Sequence, residues 1–102
     1  MFGFADLSLH PAIATDTDIG DVMLTRYIEP VLNITGGETV LATTERYLGN
    51  DRNIEITARD LEVHPNTVRQ RLDRFEQATG RSLRETETLA EVWWALNRRR
   101  LG

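Results

Sequence analysis

The sequence predicts an all-α domain of five to six helices. Three observations predict it. Apolar residues recur at three- and four-residue spacing along most of the 102 residues, and strand-type alternation is scarce. Turn chemistry at Gly36-Gly37, Gly49-Asn50-Asp51 and Gly80 leaves segments of helical length between. Hydroxyl and acidic residues stand where helix N-termini favour them, as in Thr15-Asp16-Thr17-Asp18.

In residues 2–14, Phe4, Leu7 and Leu9 are apolar and Pro11 breaks any helix begun earlier, so a short helix or irregular arm is expected. The Thr15–Asp18 cluster then caps a helix carrying Ile19, Val22, Met23, Tyr27 and Val31 at helical spacing. Pro30 would clash with the carbonyl of Arg26, which predicts a kink or an end there. Asn33 to Gly37 reads as a loop. A third helix runs from about Gly37 to Leu48, with Val40, Leu41, Thr44, Tyr47 and Leu48 inward.

Asn53 caps a fourth helix, with Ile54, Ala58 and Leu61 inward. Glu62-Val63 is a tight connection. Pro65 opens a fifth helix at the position where proline is best tolerated. Val68, Leu72 and Phe75 face inward, and Gly80 ends this helix after Thr79. The last helix spans about Thr86 to Arg100. Leu89, Val92, Trp93 and Leu96 form its stripe, and Thr88-x-x-Glu91 is a candidate capping box. Residues 1–36 are a helical support segment and 37–102 the functional region, within one compact domain.

Composition excludes several classes. Without cysteine there are no disulfides or thiolate metal sites. No apolar run is long enough to span a membrane. The start lacks the basic n-region of a secretory signal, so a cytoplasmic protein is expected. His10 and His64 have no companion ligands at metal spacing, and Asp16, Asp18 and Asp21 lack the glycine and glutamate of a calcium loop. No nucleophile–base pair or phosphate loop is present. Neither an enzyme nor a cofactor is expected.

Asn53 to Thr79 fits a helix-turn-helix. That motif needs a small residue where two short helices cross, apolar residues locking the pair, and an outward polar face on the second helix. Ala58 is the small residue, and Leu61, Val63, Val68 and Leu72 are the lock. Glu62 stands where the turn commonly has glycine. A glutamate there either adopts a left-handed conformation, at about 1 kcal/mol, or makes the turn slightly different. Pro65, Asn66, Arg69 and Gln70 are the expected base contacts, because Asn, Gln and Arg suit bidentate contact with adenine or guanine. Thr67, Arg71 and Arg74 are the expected phosphate contacts.

Charge bears on this assignment. The net charge is −4. Residues 1–49 hold two arginines and seven acids, or −5, and residues 50–102 hold ten arginines and nine acids, or +1. Each candidate also has a plainer role. Arg69, Gln70 and Arg74 could form an ordinary solvated face, and Arg71 could pair with Glu76 or Asp60. His64 reads as a helix cap or a turn-packing residue. Arg98-Arg99-Arg100 suits a helix C-terminus and could also reach phosphates. Trp94, about 100° from Trp93, falls at the edge of the core or is exposed, and is a candidate interface residue.

Several runs resemble one family. They are Tyr47-Leu48-Gly49-Asn50-Asp51, Asn53-Ile54, Thr57-Ala58-Arg59-Asp60-Leu61, Val63-His64-Pro65-Asn66-Thr67-Val68-Arg69-Gln70-Arg71-Leu72 and Thr79-Gly80-Arg81-Ser82-Leu83. Together they resemble the C-terminal domain of PucR-type regulators, also called CdaR-type, over roughly residues 26–97. The segment also looks like the DNA-binding end of Fis-type proteins. Pro65 departs from the arginine usual after the histidine. The resemblance implies a homodimeric transcription regulator acting on double-stranded DNA. It also implies that an effector ligand is bound by sensing domains N-terminal to this segment and absent from it. The expected function is sequence-specific DNA binding. The alternative is a helical dimerisation or interaction module without it.

Overall fold

The computed structural model describes residues 17–101. The arm at residues 2–14, His10 and the capping role of Thr15-Asp16-Thr17-Asp18 lie outside what it describes. Among the described residues there is no strand, and the fold is all-α.

Helix α1 (Thr17–Met23) passes into a π-helical stretch (Leu24–Ile28) and then into α2 (Glu29–Leu32). Glu29 N–H donates to the Leu24 carbonyl, five residues back. Pro30 explains the wider turn. It brings no N–H and would crowd the Arg26 carbonyl in a regular α-helix. The chain therefore does not stop there; it widens and continues to Leu32. Tyr27, Ile28 and Val31 are buried, while Ile19 and Val22 remain 46% and 50% exposed.

Helix α3 (Gly37–Gly49) follows the Asn33–Gly36 loop and packs along α5 (Pro65–Thr79), which α4 (Ile54–Leu61) crosses. Gly37 has to be glycine, since an added Cβ would sit 2.0 Å from the Val31 carbonyl oxygen. Val40, Leu41, Thr44 and Leu48 are buried as the periodicity requires, and Tyr47 is half-buried.

Helix α6 (Thr86–Leu101) lies across α1 and the π stretch and touches α3. Leu89, Val92, Trp93, Ala95 and Leu96 form its buried stripe. The capping-box expectation is overturned. Thr88 is buried within the first turn, the Glu85 carbonyl accepts from Leu89 N–H, and Glu91 faces elsewhere. Glu91 accepts from the Tyr27 hydroxyl at 2.5 Å and from Arg26 at 3.0 Å, fastening α6 to the π stretch. The Tyr27 bond, followed by Arg26, holds the Glu91 carboxyl below its ordinary value, and burial pushes the Tyr27 phenol up to about 12.

The three terminal arginines also serve the fold. Arg98 packs its stem against Gly20 and pairs with Asp21 at 3.5 Å. Arg99 pairs with Glu38 and Arg100 with Glu45, each at 2.6 Å.

Candidate nucleic-acid interface

Local chemistry sets α4 and α5 with little ambiguity. Asn53 adopts an extended conformation, and its Oδ1 accepts from Ile56 N–H at 2.9 Å. Asn50 Nδ2 reaches Thr57 at 3.3 Å and Asp60 at 3.0 Å, pinning the preceding turn to α4. Ala58 is 3% exposed, and the Val63 N–H donates back to the Ala58 carbonyl at 3.0 Å. At so buried a position a larger side chain would overpack its surroundings.

Glu62 turns the chain with φ 56° and ψ 44°, in the left-handed region. The next helix starts at once. His64 is its N-cap, with Nδ1 accepting from Asn66 N–H at 3.0 Å, and Pro65 is the first helical residue. The histidine is thus a cap, as its position before Pro65 suggests. Gly80 closes α5 with φ 71°.

Val68, Leu72 and Phe75 anchor α5 in the core. At 100° per residue, the face directly opposite carries Asn66, Gln70, Asp73 and Gln77, all exposed. Asn66 and Gln70 therefore stand where the sequence puts them. Arg69 lies to one side, donating to Asn66 Oδ1 at 2.8 Å and lying 3.9 Å from Glu55. Pro65 and Thr67 are half-buried at the helix start.

Arg71 and Arg74 lie on the other flank, and both touch protein. Arg71 donates to Thr43 Oγ1 at 3.2 Å, and Arg74 donates to the Thr35 carbonyl. Arg71 pairs with neither acid suggested for it. Glu76 accepts from Leu83 N–H at 2.6 Å, and Asp60 takes Asn50 and, at 4.0 Å, Arg46. Trp94 is partly buried, with its indole nitrogen shielded and unbonded.

Asp73 is an acceptor in the middle of the outward face, suited to a cytosine amino group. It was assigned no role from the sequence. Arg52 and Arg84 were not singled out either. They come from separate turns, and only the fold brings them beside α5.

Two short helices crossing at Ala58, a tight turn and an exposed polar face on the second helix define a helix-turn-helix DNA-binding domain. The chain belongs to the family of the PucR C-terminal helix-turn-helix domain, which matches residues 40–97, more than half its length. This is a DNA-binding domain of PucR-type transcription regulators. An uncharacterized Mycobacterium tuberculosis protein, Rv2242, is 51% identical over 45 residues, covering 44% of this chain and 11% of that protein. The Purine catabolism regulatory protein of Bacillus subtilis is 39% identical over 64 residues, covering 63% of this chain and 12% of that protein. An uncharacterized Thermomonospora curvata protein is 33% identical over 66 residues, covering 65% of this chain and 37% of that protein. The matched regions thus span only a small part of these relatives. No solved structure matches the chain. No described helix is long and apolar enough to cross a membrane.

Proposed function

We propose that the N-terminal half of α5 enters the DNA major groove and reads base edges through Asn66, Arg69 and Gln70, with Pro65 against the groove floor. Thr67, Arg71 and Arg74 approach the phosphates of one strand. The exposure of Asn66 and Gln70, directly opposite the buried anchors Val68, Leu72 and Phe75, carries this reading. Arg71 and Arg74 have donors to spare, because a guanidinium has five N–H groups and each spends one on α3 or its preceding loop.

One domain reads one half-site. Two copies, with recognition helices roughly 34 Å apart, would read a full site, so the working unit is a homodimer. Trp94 is the candidate interface residue. Regulation by an effector, a cytoplasmic setting and a role in binding rather than catalysis belong to the same reading. The Bacillus subtilis relative is named for purine catabolism; the likeness supports a shared way of reading DNA more than a shared effector.

The test is duplex binding at about 50 mM salt, where phosphate contacts are strongest. Arg69→Ala and Gln70→Ala should each weaken binding to a selected site by about 1–3 kcal/mol and relax its sequence preference. Unchanged affinity in both variants would remove α5 from the interface. A wild-type chain that bound no duplex but self-associated would point to the interaction-module reading.

A further inference from the structure

Beside α5 lies a groove of about 380 Å³ that gathers three arginines from separate parts of the chain. Arg52 comes from the turn before α4, Arg69 from α5, and Arg84 from the loop before α6. Tyr47 of α3 lines it as well. Burial raises the Tyr47 phenol above its ordinary value; the charges of Arg52 and Arg84 act against that rise and Glu76 adds to it. Neither Arg52 nor Arg84 has a carboxylate within 4.0 Å among the described residues.

The turn that supplies Arg52 is unusual. Asp51 and Arg52 both have left-handed backbones, with φ 54° and 64°. That conformation is disfavoured for a residue with a Cβ, and more for arginine than for aspartate. The Arg52 N–H donates to the Tyr47 carbonyl at 2.8 Å, and Asn50 ties the same turn to α4. Glycine would relieve this strain; arginine accepts it and sets a cation at the groove.

We infer that this groove takes a DNA backbone phosphate on the strand opposite the one approached by Arg71 and Arg74. The inference rests on the DNA-binding reading above. Continuity identifies the occupant. Arg69 lines the groove and also bonds Asn66 on the reading face, so whatever fills the groove abuts the bases being read. The major groove is about 12 Å wide, hardly more than a helix with its side chains, so a backbone must run along each flank of an inserted α5. Arg71 and Arg74 meet one backbone; Arg52 and Arg84 meet the other. Asp73 and Glu76 also line the groove and Glu55 lies 3.9 Å from Arg69, so carboxylates offset much of the charge of the three arginines. That balance suits a phosphate positioned by the duplex and holds a free phosphate ion poorly.

The test uses the full chain carrying Arg52→Gln with Arg84→Gln. Binding is measured from 50 to 200 mM salt, to a duplex selected from a random pool by the wild type and to an unrelated duplex. The double variant should lose affinity by the same factor for both duplexes, on the order of tenfold near 0.1 M salt. Its salt dependence should be shallower by about 0.9 per lost contact. Arg52→Lys with Arg84→Lys should keep the wild-type salt dependence. Arg81→Gln removes one positive charge from a residue outside the groove's lining, and should leave it unchanged. An unchanged salt dependence in the glutamine pair, or an equal loss from Arg81→Gln, overturns the inference. So does inorganic phosphate that binds the groove and is not displaced by DNA. If Arg69→Ala and Gln70→Ala weaken binding while the glutamine pair does not, the groove assignment fails alone. A wild type that binds no duplex fails both.

Discussion

Glu62→Gly should stabilise this domain. Glu62 holds a left-handed backbone at the turn between α4 and α5, with φ 56° and ψ 44°. A residue with a Cβ incurs about 1–2 kcal/mol there, and glycine incurs almost none. Glycine also loosens the unfolded chain, which takes back about 0.4–1 kcal/mol. The side chain is exposed and joins no ion pair among the described residues, so little else is lost. The net gain should be near 1 kcal/mol, which raises Tm by about 4–8 °C in a domain of this size. Thermal and urea unfolding of wild type, Glu62→Gly and Glu62→Ala measure it. Alanine keeps the left-handed cost and removes the charge, so it should stay within about 0.5 kcal/mol of wild type. If alanine stabilises as much as glycine, charge repulsion explains the gain and the backbone argument is wrong. If glycine gives no gain, the turn is not strained as its dihedral angles imply.

Two glycines should respond in opposite directions to the same change. Gly37→Ala forces a Cβ to 2.0 Å from the Val31 carbonyl oxygen and should cost roughly 3 kcal/mol or more. Gly49→Ala meets nothing within 4 Å and should stabilise α3 by about 0.5 kcal/mol; urea midpoints decide both. Glu91 gives the fold a pH dependence. Its carboxyl is held below 4.5, so its contribution is complete above that pH and is lost as pH falls through the lower folded value. Tyr27 acts at the other end, contributing fully below pH 10 and losing that contribution as pH rises through about 12. Glu91→Gln should lower stability at neutral pH and flatten its acid fall. Parallel acid limbs in wild type and variant would show that Glu91 does not carry the effect.

The elements that carry their own punctuation were legible in the sequence. Asn53, Pro65 and Gly80 fix the ends of α4 and α5 through bonds that reach only a few residues, and the structure shows those ends where expected. What depended on distant partners was not legible. The π stretch follows from Pro30 locally, but the side it buries is fixed through Tyr27 and Glu91, 64 residues apart. Thr88-x-x-Glu91 has the letters of a capping box, yet Glu91 serves Tyr27 and Arg26 instead. Arg71 was equally suited to a carboxylate by spacing, and only the packing of α3 against α5 gives it Thr43. Arg52 and Arg84 lie 32 positions apart in turns with no shared periodicity, so no pattern could join them.

The net charge of −4 is a poor guide to what this domain binds, and the pairing of its arginines shows why. Arg26, Arg46, Arg69, Arg98, Arg99 and Arg100 have carboxylates within 4.0 Å. In the last three pairs the acids are Asp21, Glu38 and Glu45, all from the acidic first half, where they hold α6 against α1 and α3. Much of the negative charge is thus structural. The arginines without a carboxylate that close, among the described residues, are Arg52, Arg59, Arg71, Arg74, Arg81 and Arg84. All fall between the turn before α4 and the loop before α6, the stretch containing the helix-turn-helix. The electrostatics of DNA binding will follow those local cations rather than the sum, because beyond about 10 Å at 0.1 M salt the remaining charges are largely screened.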